Sequence, residues 1–236
     1  MNIEHLEKYT LFNQDPIYEF KNPHHSLIKR DLIEFIYNDW ENEQHRVHRY
    51  SDDTFVAKDP INGKVVHPVV KNNIKECNFD FFERTHDVPL IANLFDFIHK
   101  CMYNVQINLN REFCETHRFN TKYAAWYHIT NNHGYHDFHM HAGTLSAFYV
   151  VQGDPNHAET KNGTFMFRDF DEPKRTDDPF CNYKLDNFDR HHIPIQNEGS
   201  LCIFPGWVNH QALPYNGKED RIIFAINTHI SDVIDR

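Results

Sequence analysis

The strongest constraint on the fold is a series of short strand-like runs beyond residue 120. Tyr123–Thr130, Leu145–Gln152, Thr164–Asp169, Ser200–Phe204 and Arg221–Thr228 are aromatic and β-branched. Turn residues separate them: Asn131-Asn132, Gly153-Asp154-Pro155, Asn162-Gly163, Asn197-Glu198-Gly199 and Asn216-Gly217. Serial short strands with such punctuation predict an antiparallel sandwich or barrel. Strands and helices do not alternate, which argues against parallel α/β architectures.

The first half reads differently. Residues 10–20 are extended. A helix follows, with Ser26 as its expected N-cap and Ile28, Leu32, Phe35, Ile36 and Trp40 at three- and four-residue steps. A second helix begins after Asp87 with Pro89 in its first turn, and its stripe is Ile91, Leu94, Phe95, Ile98, Met102 and Val105. Each helix has one apolar face, so both are expected to pack on a sheet. Asp59-Pro60 and Asn62-Gly63 mark turns in the polar stretch between them. No composition break marks a linker. The expectation is one domain over residues 1–236, mainly β with flanking helices: a helical support over about 1–120 and a sheet core over about 121–230. The polar segment Phe170–Glu198 is too long for a turn and reads as either a lid or a disordered loop.

Charge narrows the function. Lys and Arg total 24 against 34 Asp and Glu, a formal net charge of −10. That balance gives no general footprint for nucleic acid or an anionic membrane. Only 8 glycines are present, which argues against a glycine-rich phosphate loop. Cys77, Cys101, Cys114, Cys181 and Cys202 are odd in number and lack CxxC spacing, which suits a reducing compartment. Residues Met1–Phe12 carry no signal-peptide core and no apolar run is long enough to span a bilayer. A cytoplasmic protein is expected.

Histidine is the unusual component, at 19 residues. His133, His136, His139 and His141 lie close together in sequence. In a strand, residues two apart face the same side, so His139 and His141 aim together and Met140 turns away. A metal needs at least a third ligand, and His210, after the strand and turn of Phe204-Pro205-Gly206-Trp207, is the candidate. Arg221 opens the apolar strand Ile222–Asn227. A cation at the head of a buried strand needs either an acidic neighbour or a bound anion.

Taken together, these residues resemble the Fe(II)/2-oxoglutarate-dependent dioxygenases, whose signature is H-x-D/E, a distal His and then an Arg or Lys on a double-stranded β-helix. The bacterial and phage branch is the nearer likeness. It is carried by Trp126, His139-Met140-His141, Leu145–Val150, Gly163–Asp169, Phe204–His210, Leu213-Pro214 and Arg221–Asn227. The resemblance implies a jelly-roll, cupin-like core and Fe(II) held by His139, His141 and His210, with no catalytic residue beyond the metal centre. It implies 2-oxoglutarate clamped by Arg221, with Ser146 a further contact. O2 is the oxidant and succinate and CO2 are released as a small-molecule or peptide substrate is hydroxylated. On that strand pattern, parity puts Asn227 on the face of Arg221, and pairs His128 with Trp126 at the pocket.

The chain departs from the family pattern at three places. His141 stands where a carboxylate is usual, with Asp137 an alternative ligand in reversed order. Ile223 stands where many relatives have a serine, and Val150 where tyrosine is common. A three-histidine site is also that of cupin-type thiol dioxygenases. A metalloenzyme without 2-oxoglutarate (a thiol dioxygenase or isomerase) and a non-enzymatic jelly-roll binding module are therefore the alternatives. Neither substrate nor oligomeric state is legible.

Overall fold

A computed structural model describes residues 4–12, 15–43, 70–71, 73–141, 143–168 and 191–235. The turns expected at 59–60 and 62–63 lie outside the described residues, as do Cys181, the last residue of the strand expected at 164–169, and residues 170–190 of the expected lid or disordered loop.

The N-terminal hairpin pairs β1 (Leu6–Phe12) with β2 (Asp15–Lys21), and helix α1 (His25–Glu43) follows. Next come β3 (Val70–Lys71), β4 (Ile74–Glu76), α2 (Phe81–Arg84), α3 (Pro89–Leu109) and α4 (Arg111–Thr116). The second half carries β5 (His117–Thr130), β6 (Gly134–His139), β7 (Leu145–Gln152), α5 (His157–Thr160), β8 (Phe165–Arg168), β9 (His191–His192), β10 (Ser200–Pro205), β11 (His210–Tyr215) and β12 (Arg221–Asp235). An eight-stranded antiparallel sheet runs β1-β2-β10-β7-β12-β5-β4-β3, and a four-stranded sheet runs β6-β11-β8-β9.

The sheets meet as the two walls of a jelly roll, and side-chain alternation sorts the residues between two cores. On β7, β10 and β12, Leu145, Ala147, Tyr149, Leu201, Ile203, Ile222, Phe224 and Ile226 join the helix-side core. Their neighbours Phe148, Val150, Cys202, Phe204 and Ile223 join a second core that includes Phe165 and Phe167 of β8. Both faces of the larger sheet are covered, which is why β7 and β10 read as near-continuous apolar runs. Helix α3 buries Ile91, Leu94, Ile98, Met102 and Val105 against that sheet, and α1 buries Leu32 and Ile36. Phe95, expected in the stripe, stays half-buried and packs edge-on to Tyr123.

Several expectations need correction. Helix α1 starts at His25, so Ser26 is not its cap; Asn22 Oδ1 instead accepts from the His24 backbone N–H at 2.9 Å. The segment before residue 120 is more than a helical support, since it supplies β1 to β4 of the larger sheet. Strands β6 and β11 were not expected as strands. Gly134-Tyr-His-Asp-Phe-His139 is polar and half-buried, so it lacks the apolar alternation that would mark it. Strands β5 and β12 run past their apolar parts as a ribbon whose end is exposed.

Candidate metal centre

The smaller sheet brings the histidines together. His139 ends β6 and pairs in register with His210, which begins β11. His141 lies two residues past the strand, and its backbone N–H donates to Gly206 O at 2.8 Å. A Cβ at position 206 would stand 2.5 Å from Gly143 O, so only glycine lets the two turns close this tightly. Met140 points outward and is 62% exposed.

The donor nitrogens of His139, His141 and His210 lie within 4.8 Å of one another. His141 Nε2 is 3.1 Å from His210 Nε2. The Nδ1–H of His139 donates to Asp137 O at 2.7 Å, and that of His210 to Val208 O at 2.8 Å. Those bonds select the tautomer that leaves both Nε2 lone pairs for a cation. Asp137 thus serves through its carbonyl, while its carboxylate is exposed and outside the cluster. Burial, then the neighbouring His139, pushes the His141 pKa down to about 4. Burial also holds His210 well below the usual histidine range. Both are neutral at pH 7, the state a ligand needs.

Ser146 and Asn227 sit beside this cluster. Ser146 Oγ is 2.8 Å from Asn227 Oδ1, and the Asn227 amide nitrogen is 2.9 Å from His141 Nδ1. Turning the amide over exchanges its oxygen and nitrogen between the same two positions. Its Oδ1 then accepts from His141 Nδ1–H, its nitrogen donates to Ser146, and His141 Nε2 is released for metal.

A pocket of about 200 Å³ opens on the three histidines, walled mainly by Phe79, Trp126, Phe148, Phe165 and Ile223. Arg221 begins β12, two residues before the pocket-lining Ile223, and is 5% exposed. Its Nη2 is buried with no hydrogen-bond partner. Burial lowers its pKa only to about 10, so it is a cation at pH 7, and among the described residues no carboxylate forms an ion pair with it. The acidic neighbour that the sequence allowed is therefore absent among the described residues. Gly163, at φ +65°, makes room: a Cβ there would lie 2.9 Å from Arg221 Cδ.

His128 lies on the same side of the pocket, 5% exposed, and its ring feels the Arg221 charge. Its Nε2 accepts from Trp126 Nε1–H at 2.6 Å. His136 stacks on it at 4.7 Å between centroids, and Glu76 Oε1 approaches both rings. The sequence places His136 in the histidine cluster without giving it a role, and does not single out Glu76. Glu76 reaches the pocket only because β4 pairs with β5, placing it opposite His128.

Residues 124–227 match the family described as "Putative 2OG-Fe(II) oxygenase". That span runs from β5 to the pocket-facing part of β12 and holds all three histidines and Arg221. Among solved structures, a Pseudomonas putida prolyl-4-hydroxylase aligns at 11% identity over 90% of this chain and 91% of its own, with a TM-score of 0.50. A Trichoplax adhaerens prolyl hydroxylase, in complex with a hypoxia inducible factor degradation-domain peptide fragment, aligns at 10% identity over 90% and 83%, with a TM-score of 0.53. EctD from S. alaskensis with bound Fe aligns at 10% identity over 93% and 74%, with a TM-score of 0.52. At such identities these establish the jelly-roll fold. The curated proteins include no match to the chain. The matched segment is a 2OG-Fe(II) oxygenase domain. The protein is accordingly an Fe(II)- and 2-oxoglutarate-dependent oxygenase, with iron as cofactor and 2-oxoglutarate as co-substrate.

The site suits both. Three imidazoles that are neutral or free to be so form a donor set that takes ferrous iron. A buried guanidinium that meets no anion among the described residues suits a dicarboxylate.

Proposed function

We propose that His139, His141 and His210 hold the iron, that Arg221 takes the distal carboxylate of 2-oxoglutarate, and that the substrate is a small molecule or peptide. Bound iron with 2-oxoglutarate supplies O2-dependent hydroxylation coupled to succinate and CO2 release. The chain's own residues bind, orient and exclude water. Asp137 O and Val208 O aim two ligand rings, and Asn227, held by Ser146, aims the third. Phe148, Phe165 and Ile223 keep the pocket apolar, which strengthens the Arg221–carboxylate pairing. His128 lines the same pocket as the ligand histidines.

The observation that carries this reading is the buried, unpartnered Nη2 of Arg221. An unpaired buried cation costs several kcal/mol, and a reaction without 2-oxoglutarate gives it no anion. The test is succinate release from anaerobically iron-loaded protein given 2-oxoglutarate and O2, with and without Arg221→Ala. Equal 2-oxoglutarate dependence in both proteins would return the co-substrate-free oxygenase to first place.

A single oxygenase domain is the simplest organisation, since β2 pairs directly with β10 of the core sheet. The reduced thiols of Cys77, Cys101 and Cys202 support a cytoplasmic setting. Among the described residues no helix is long and apolar enough to cross a membrane.

A further inference from the structure

Glu76, His128 and His136 form a second set of converging donors in the same pocket. One donor atom from each lies within 4.8 Å of the others. Glu76 Oε1 is 3.4 Å from His128 Nε2 and 3.6 Å from His136 Nε2. Ligand atoms about 2.0–2.1 Å from a tetrahedral zinc stand about 3.3–3.4 Å apart, close to that spacing. The same bond lengths around an octahedral ion give about 2.8–3.0 Å. The 3.1 Å between His141 Nε2 and His210 Nε2 is nearer to the octahedral value.

Hydrogen bonding in this cluster is strained. His128 Nε2 accepts from the Trp126 indole at 2.6 Å, so in the neutral ring the proton sits on Nδ1. That Nδ1 is buried with no partner. The Nε2 lone pair and the Glu76 carboxylate oxygen then face each other as two acceptors, an arrangement that a cation between them relieves. Two imidazoles and one carboxylate, with room for a water from the pocket, are a familiar zinc donor set. The donors sit on three different strands, β4, β5 and β6, so their spacing is set by the sheets and not by a flexible loop.

We propose that Glu76, His128 and His136 bind a second divalent metal ion, in tetrahedral geometry and of zinc type, beside the three-histidine centre. Trp126 gives up its hydrogen bond to His128 when the metal enters.

The test is an anaerobic Co(II) titration of metal-free, full-length protein, followed by Zn(II). Tetrahedral Co(II) absorbs intensely in the visible and octahedral Co(II) weakly. Wild type is expected to take two tight equivalents, one of them with intense bands, and Zn(II) is expected to change Trp126 fluorescence. Glu76→Gln, nearly isosteric, and His136→Ala are each expected to lose the intense bands and one equivalent. His139→Ala is expected to lose one equivalent and keep the bands. Thermal melts check that each variant is folded, and either of the first two serves if the other is not. One tight equivalent in the wild type, or intense bands that persist in folded Glu76→Gln or His136→Ala, overturns the proposal.

Discussion

The two faces of the larger sheet are built from the same strands and serve opposite ends. On the helix side, Ile222, Phe224 and Ile226 of β12 pack into a core with Phe81, Phe82 and Met102. Its charged cluster is paired: Tyr127 Oη donates to Asp39 at 2.8 Å, and Arg84 donates to the same carboxylate at 2.6 Å. Its unmet atoms, His25 Nε2 and Gln106 Nε2, belong to neutral groups. On the other side, Ile223, Ala225 and Asn227 of the same strand face the histidine pocket. There, among the described residues, Arg221 Nη2 and His128 Nδ1 are buried without partners. A buried cation costs more to leave unpaired than a neutral group. The contrast teaches that the helix face pairs its charges with each other, while the pocket face leaves one to be met by a ligand.

The largest expected effect falls on the pocket face. His210→Ala is expected to abolish tight iron binding at the three-histidine centre and turnover while a cooperative melt remains. Retained turnover would place the iron elsewhere. The helix face responds in the opposite sense. Phe224, fully buried and 5.0 Å from the Phe81 ring, is expected to cost about 3–5 kcal/mol as Phe224→Ala. Iron stoichiometry per folded molecule is expected to be unchanged, and denaturant unfolding with metal analysis reads both quantities.

Smaller effects separate residues within the pocket. Arg221→Ala is expected to raise the 2-oxoglutarate requirement about ten- to hundredfold, the loss of a charge-assisted hydrogen bond of about 1.5–3 kcal/mol, with little change in iron affinity. Asn227→Ala is expected to do the reverse. Losing the group that orients a ligand histidine costs about 10–100-fold in metal affinity, read by iron titration. If Asn227→Ala instead changes only the 2-oxoglutarate requirement, Asn227 is a co-substrate contact and not a ligand-orienting one.

The smallest effect is a slope with pH. His25 on the helix side and His141 on the pocket side are both pushed by burial to about 4. The unfolded chain, with histidines near about 6.5, then binds more protons than the folded one. Stability is full above about pH 6.5 and falls as pH drops toward 4. Because the buried pocket histidines outnumber those behind the helices, His25→Gln is expected to remove only a minor part of the slope in metal-free protein. Denaturation midpoints between pH 7.5 and 4.5 check this, and a flat wild-type profile would contradict it. The same burial means that protons compete with iron at His141 only near pH 4, lower than an unperturbed imidazole would suggest.

Much of this architecture was already written in the residue pattern. Long apolar runs name β7, β10 and the first half of β12 because both faces of those strands are covered. The three- and four-residue stripe names α3 because one face of it is covered. Strand parity aims His139 and His141 to one side, while His210 and Arg221 join them in the sequence only through the family resemblance. Strands β6 and β11 are not legible in that way, since their residues are half-exposed and polar. Glu76 meets His128 only through the pairing of β4 with β5, a contact 52 residues long in sequence. Ser146 and Asn227 meet only through the register of β7 on β12, where a slip of one residue would turn both away from His141. Local periodicity determined which of the apolar segments are strands and helices. Long-range register, which no local pattern encodes, decided which donors share the pocket, how each imidazole is turned, and that the buried Arg221 cation has no anion of its own among the described residues.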